Sequence, residues 1–311
     1  MKIGLSTYSM VNRIEDGSMT VTDVMDFAKK IGSEHIELVP FGFTLYDDKL
    51  TYTFNDKLIW EIKEKSDTIK LPISNYAVLG DLLKPDNDAR EAEIRRLSRH
   101  IDVAAKLGIS LMRHDISSFR RPLDSNTPIE FERWFPVMVE ACRRLADYAS
   151  EYNITTLVEN HGFFVNGSDR IIRLIEEVDR SNFRMLVDTG NFACVDEDCA
   201  VATEKSMPFA VMVHLKDFYI RKKDRLPGIG GMFRCDSGSW FSSNSGLYML
   251  RGSILAQGDI EMRYIFNSIA NSGFNGYASV EFEGMEDNAV GSEAGIAAAK
   301  SLYYNRSDYY A

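Results

Sequence analysis

The sequence predicts a single-domain α/β protein in which eight parallel strands close into a (β/α)8 barrel. Short runs rich in Val, Ile and Leu alternate eight times with helical stretches along the 311 residues, the pattern of a parallel sheet covered on its outer face. The number of units and the length suit a closed barrel, which takes about 250 residues or somewhat more. No Gly-rich phosphate loop follows the first strand, which disfavours the runner-up, a doubly wound open sheet.

The elements follow in order. Ile3-Gly4-Leu5-Ser6-Thr7 reads as the first strand. Val21, Val24, Met25, Ala28 and Ile31 fall at helical spacing, and Gly32 stands where a C′ glycine would end that helix. His35 to Val39 is the second strand, stopped by Pro40. An aromatic loop follows with Phe41, Phe43, Tyr46, Tyr52 and Phe54. Leu58 to Ile69 is helical, and Pro72 to Val78 is the third strand. Ile94, Leu97, Ile101, Ala104 and Ala105 mark the next helix, in which His100 reads as structural; Gly108 stops it, and Ile109 to Met112 leads into Arg113-His114-Asp115. Thr127-Pro128-Ile129-Glu130 has a capping-box pattern with proline in the first turn. Pro136 falls inside the helix it opens, so that helix either kinks or begins later. Ile154 to Glu159 is strand five, with a helix over Ile171 to Val178. Met185 to Asp188 is strand six, with a weaker helix near 197–206. Val211 to Leu215 is strand seven, Ile260 to Ala270 a helix, Tyr277 to Glu281 strand eight, and Glu293 to Tyr303 the closing helix.

Composition bounds the function. Apolar content of 45% and charged content of 26% are ordinary for a globular chain. A formal net charge of −10 argues against nucleic acid or an anionic membrane as the main partner. Cys142, Cys194, Cys199 and Cys235 show no paired or zinc-type spacing, which suits a reducing compartment. The N-terminus turns polar too early for a signal peptide, and no apolar run approaches membrane-spanning length. A soluble, cytoplasmic protein is expected.

In such a barrel the site lies at the carboxyl ends of the strands. Those ends present Glu37, His114, Glu159, Asp188, His214 and Glu281. Strands five to eight thus bring Glu, Asp, His and Glu to one rim. Burying such charges is costly without a partner, and oxygen ligands with one imidazole suit Mn2+, Mg2+ or Co2+ better than a thiol-rich structural zinc site.

The motifs Leu157-Val158-Glu159-Asn160-His161-Gly162, Val187-Asp188-Thr189-Gly190-Asn191, Val213-His214-Leu215-Lys216-Asp217 and Val280-Glu281-Phe282-Glu283 resemble the xylose isomerase-like TIM-barrel superfamily of sugar isomerases and epimerases, over nearly the whole chain. The resemblance implies a divalent metal, Mn2+ first and Mg2+, Co2+ or Zn2+ as alternatives, held by Glu159, Asp188, His214 and Glu281. It also implies that Glu159 and Glu281 act as acid and base on either side of the substrate. Such chemistry is consistent with these residue types: a metal on a carbonyl and its neighbouring hydroxyl stabilises an enediolate, and carboxylates on opposite faces move the proton. Glu283, on the same strand face as Glu281, is an alternative occupant of the eighth-strand role.

Blander readings stand beside these. Glu159 and Asp188 at strand ends also suit helix caps, though four such ends together favour a site, and His214 also suits a satisfied core histidine. Glu37, His114, His161 and Lys216 are candidate substrate contacts; strand-end polar groups also anchor loops, and a lysine is often salt-bridged. The stretch 218–257, with Gly228, Gly230, Gly231, Gly238, Gly246 and Gly252 beside Trp240, Phe241, Tyr248 and Met249, reads as a long irregular lid or partner-docking loop. With the aromatic loop it suggests a mouth for something less polar than a bare sugar. The Val280 to Asp287 ending also resembles the C-glycoside deglycosidase branch, which implies carbon–carbon lyase action on 3-oxo C-glycosides and a small β subunit. Tyr303, Tyr304, Tyr309 and Tyr310 suit either a homo-oligomer interface or local packing. Two other function classes remain: an AP-endonuclease-like DNA repair enzyme, opposed by five histidines and the acidic charge, and a non-catalytic sugar-binding barrel.

Overall fold

Eight parallel strands close on themselves in the computed structural model, which describes residues 1–119, 121–225 and 240–305. They are β1 Lys2–Ser6, β2 Ile36–Leu38, β3 Ile73–Val78, β4 Leu111–His114, β5 Thr155–Glu159, β6 Phe183–Asp188, β7 Ala210–Leu215 and β8 Tyr277–Val280. Spatial order follows chain order, and β8 closes on β1 with Lys2 opposite Tyr277 and Leu5 opposite Val280. The helices outside are α1 Val21–Lys30, α2 Asp56–Ile69, α3 Asn87–Leu107, α4 Pro128–Ser150, α5 Ser168–Val178, α6 Cys199–Ser206, α7 Met262–Asn271 and α8 Asn288–Tyr304. The barrel predicted from the alternation is therefore the barrel observed. No helix among the described residues is long and apolar enough to cross a membrane.

Local chemistry sets the boundaries. Thr20 and Asp23 exchange hydrogen bonds as a capping box at the start of α1. Gly108 ends α3 at a φ of 74°, left-handed backbone that glycine adopts without strain. Thr127 caps α4 by accepting from the Glu130 N–H, and the helix runs through Pro136 to Ser150. Pro136 and Glu132 are both exposed, so the Glu132 carbonyl that loses its helical N–H donor at the proline lies on the solvent face and not against the sheet.

The strands divide the interior by parity. Leu157, Leu186 and Met212 form a fully buried cluster inside the barrel, against which Leu111 and Tyr277 pack. Side chains two residues apart share a strand face, so the same face continues upward to Glu159, Asp188 and His214. The intervening residues Val158, Val187 and Val213 belong to the larger core between sheet and helices. An apolar floor thus lies beneath a polar rim.

Two excursions build walls around the rim. Tyr46–Asp47 pairs with Thr53–Phe54 in a small hairpin. Arg96 of α3 secures it by donating to Asp48 at 2.8 Å, to the Leu79 carbonyl at 2.7 Å and to Glu93 at 2.8 Å. His100 is structural here, its Nδ1 2.9 Å from the Tyr76 hydroxyl. After β7, Asp217–Lys222 pairs antiparallel with Tyr248–Ser253, and Phe241–Ser242 adds a third strand. The stretch expected to be irregular is therefore a ribbon at both of its ends. Residues 226–239, with Gly228, Gly230, Gly231, Gly238 and Cys235, lie outside the described residues, as do Tyr309 and Tyr310 of the tail.

The ribbon is fastened at its base. Asp217 accepts from the backbone N–H groups of Gly258 at 2.9 Å and Ile260 at 3.3 Å. Gly252 lies so near the chain after β8 that a Cβ there would collide with the Glu283 carbonyl. Gly252→Ala is therefore expected to lower stability by about 1–3 kcal/mol through overpacking, read as a lower midpoint of chemical unfolding.

Candidate metal centre

The strand ends are held open in a defined way. Where the ladder between β5 and β6 stops, the Asn160 side chain continues it. Its Nδ2 donates to the Asp188 carbonyl at 2.8 Å, and its Oδ1 accepts from the Asp188 N–H at 2.8 Å. Thr189 repeats the device toward β7, donating from Oγ1 to the Lys216 carbonyl at 2.9 Å and accepting from the Lys216 N–H at 3.0 Å. Side-chain amides and hydroxyls substitute for backbone partners in this way. These bonds place Glu159 and Asp188 on the mouth of the barrel beside His214.

Glu159, Asp188, His214 and Glu281 are all buried, and one ligand atom from each lies within 4.8 Å of every other. His214 Nδ1 is 3.2 Å from Glu159 Oε1, 3.6 Å from Glu281 Oε1 and 3.8 Å from Asp188 Oδ2. Each residue also has its other atom tied to the protein. Glu159 Oε2 meets Arg113 at 2.7 Å, and Glu281 Oε2 meets Lys216 at 2.6 Å. Asp188 Oδ1 accepts from the N–H groups of Gly190 and Asn191, both at 2.8 Å. His214 Nε2 lies 2.8 and 3.0 Å from the two oxygens of Glu37.

The residues fit a divalent cation. Asp188 Oδ2 is buried without a hydrogen bond, in contact only with the charges around it, including Lys216 at 3.2 Å. A buried oxygen in that state is costly unless a cation or donor meets it. Three carboxylate oxygens and one imidazole nitrogen within 4.8 Å of one another match the donor set of Mn2+, Mg2+, Co2+ or Zn2+.

Electrostatics sharpen the picture. Burial pushes Asp188 up to about 6 despite Lys216 beside it. Burial also works to raise Glu159, but Arg113 and His214 outweigh it and hold this carboxyl well below its ordinary value. For His214, burial opposes the charged form, and the carboxylates of Glu37, Glu281 and Glu159 override it, leaving the imidazolium strongly favoured. The proton there occupies the place where a cation would go.

The expected substrate contacts divide. Lys216 lies inside the cluster, bridging Asp188, Glu281 at 2.6 Å and Glu283 at 3.2 Å. Glu283 is therefore drawn to the same lysine, while Glu281 supplies the atom facing His214. Glu37 is fully buried against His214 and Asn75. His161 is partly exposed at the rim, its Nδ1 3.0 Å from Asp115. His114 turns to the opposite face of β4, with its ring 6.5 Å from Phe183, and burial lowers it to about 4.

Sequence reasoning missed several neighbours. Arg113 is the β4 residue that meets Glu159, bridging it to Asp115 at 2.5 Å. Counting alternation upward from the inward Leu111 would have found it. Asn191 donates to Glu159 at 3.3 Å. Tyr8 follows β1, and the charge of Glu283, together with burial, strongly raises its phenol. Nothing in the local sequence around Tyr8 signalled that interaction. A cavity of about 1180 Å³ adjoins the rim at Arg113 and Asp115 and runs beneath the hairpin past Phe41, Phe43, Phe54 and Phe119.

Residues 25–302 match the family described as Xylose isomerase-like TIM barrel. Inosose dehydratase of Geobacillus thermodenitrificans is 26% identical over 171 residues, 54% of this chain and 53% of that protein. Inosose dehydratase of Clostridium tetani is 25% identical over 227 residues, 70% of this chain and 71% of that protein. The chain thus spans about half the length of the first relative and more of the second. A solved xylose isomerase-like TIM-barrel protein from Mycobacterium smegmatis, in complex with magnesium, superposes with a TM-score of 0.69 at 17% identity, covering 97% of each chain; that likeness is one of fold.

Ion uptake is expected to depend on pH with a fixed sign. Binding must displace the His214 proton, which the carboxylates hold to well above the ordinary histidine range, and needs Asp188 ionised, so affinity falls with pH from above that range and further as pH drops through about 6. Calorimetric titration of the metal-free protein with Mn2+ from about pH 8 down to about pH 5 should show weakening binding, with proton release in buffers of differing ionisation enthalpy.

Proposed function

The chain belongs to the xylose isomerase-like TIM-barrel family, and on that premise we propose a divalent-metal-dependent enzyme that acts on a sugar or keto-sugar by removing a proton beside a carbonyl. The observation that carries this reading is the convergence of four buried ligand atoms within 4.8 Å, each on a residue whose other atom is already held. A cation bound there supplies Lewis-acid polarisation of the carbonyl. Mn2+ is the first candidate, with Mg2+, Co2+ and Zn2+ behind it.

The chain's own residues supply the rest. Glu159 on β5 and Glu281 after β8 stand on opposite sides of the ligand group, with β6 and β7 between them. Arg113 holds Glu159 in the ionised form, the form that can accept a proton, while lowering its basicity. Lys216 balances the charge of Glu281. One carboxylate takes the carbon-bound proton. Return of a proton to the other face of that carbon gives an epimer, and return to the neighbouring carbon gives an isomer. Loss of a hydroxyl with a proton as water gives a dehydrated ketone, the outcome that the names of the two bacterial relatives favour. All three outcomes share the first step.

A second reading rests on a different observation. The cavity beside Arg113 has about 1180 Å³ and four phenylalanines on its walls, more space than a lone monosaccharide fills. It favours a glycoside substrate, as in carbon–carbon lyase action on a 3-oxo C-glycoside with a small β subunit. Aglycone release from such a substrate, with and without that partner, separates the two readings.

Ion-loaded protein incubated in D2O with a panel of keto-sugars and ring ketones should incorporate deuterium at the carbon next to the carbonyl, read by NMR. Glu159→Gln and Glu281→Gln should each slow exchange by about 10²–10⁴-fold while remaining folded. A loaded enzyme that exchanges, converts and cleaves nothing in the panel would count against a catalytic role.

A further inference from the structure

We propose that Glu37 is a positioning residue of the metal centre, locking His214 in the tautomer and orientation that offer Nδ1 to the ion, and that it makes no contact with substrate. The inference rests on the metal-dependent reading above and assigns a part of that site which strand-end position alone could not.

An ionised carboxylate only accepts, so Glu37, with its oxygens 3.0 and 2.8 Å from His214 Nε2, requires that nitrogen to carry a proton. A neutral imidazole has one N–H, and Nδ1 is then left with its lone pair. That lone pair faces Glu159 Oε1, Glu281 Oε1 and Asp188 Oδ2 at 3.2, 3.6 and 3.8 Å. Three acceptors around a fourth acceptor repel one another unless a cation, or in the ion-free protein the Nδ1 proton shared with Glu159, stands among them. In the opposite tautomer the lone pair of Nε2 would point at Glu37, so Glu37 is the group that selects between the two.

The lock is itself held. Glu37 is fully buried and lies across the barrel from β7, on β2. Asn75 is its register partner on β3, and its Nδ2 donates to Glu37 Oε1 at 2.8 Å. With one oxygen shared between Asn75 and His214 and the other on His214, no exposed oxygen remains to meet a sugar hydroxyl. A carboxylate on the far nitrogen of a ligand histidine fixes the ring and raises its basicity, and such partners are worth about 10–100-fold in metal affinity.

The test compares wild type, Glu37→Gln and Glu37→Ala for Zn2+ affinity by competition with a chromophoric chelator, with folding followed by circular dichroism. Both variants are expected to bind the ion about 10–100-fold more weakly while staying folded, and Asn75→Ala to fall between them and wild type. Long-range ¹H–¹⁵N correlation on Zn2+-loaded wild type should report His214 coordinated through Nδ1 and protonated at Nε2. Folded variants that match wild type in ion affinity but raise KM would place Glu37 on the substrate and overturn the proposal. Should the variants not fold, the wild-type spectrum decides, and coordination through Nε2 overturns it. A wild type that takes up no divalent ion overturns both this inference and the functional reading, whereas normal uptake unaffected by Glu37 removes this one alone.

Discussion

Four carboxylates, those of Glu37, Glu159, Asp188 and Glu281, surround one imidazole in the mouth of the barrel, and the rim is arranged around their mutual repulsion. Two like charges about 4 Å apart in a protein interior repel by about 4 kcal/mol. A few uncompensated pairs would equal the whole folding free energy of a typical domain, about 5–15 kcal/mol. Compensation comes from Arg113 on Glu159, Lys216 on Asp188 and Glu281, paired backbone N–H groups on Asp188, and the His214 ring shared by Glu159 and Glu37. Asp188 Oδ2 accepts no hydrogen bond and has the Lys216 ammonium 3.2 Å away as its counter-charge, so it is the ligand atom that a further cation would relieve most.

The barrel makes this arrangement affordable to hold. Beneath the charges, Leu157, Leu186 and Met212 fill the interior, so the ligands stand on a packed floor that cannot collapse toward them. Above the last ladder bonds, Asn160 and Thr189 keep neighbouring strand ends in register. The two excursions are likewise anchored, the hairpin by Arg96 and the ribbon by Asp217 and the approach of Gly252 to Glu283. Positional precision at the site is therefore inherited from rigid elements, which is what a ligand set needs to bind an ion without reorganising.

Much of the fold was legible because period and punctuation agree. Gly108 and the Thr127–Glu130 cap act where the one-dimensional signal placed them. Pro136 is different: whether a proline breaks a helix depends on which face it occupies, and its exposed position on α4 answers that only in three dimensions. The stretch after β7 was harder still. Its strands pair with one another across an intervening segment and not with the barrel, so neither alternation nor length distinguishes them from loop.

At the site, the motif order alone determined that strands five to eight bring Glu159, Asp188, His214 and Glu281 to one end, because parallel strands joined by helices must all point the same way. It also determined the acidic character of that end. Which way each neighbouring side chain faces was left to the closed sheet. His114 and Arg113 differ by one position on β4, and the pleat sends only Arg113 inward. Glu37 and His214 are separated by 177 residues, and their bond exists because closure brings β2 and β7 across one interior. Chemistry that depends on a single strand's end is written locally, whereas chemistry that depends on who stands opposite is decided when the barrel closes.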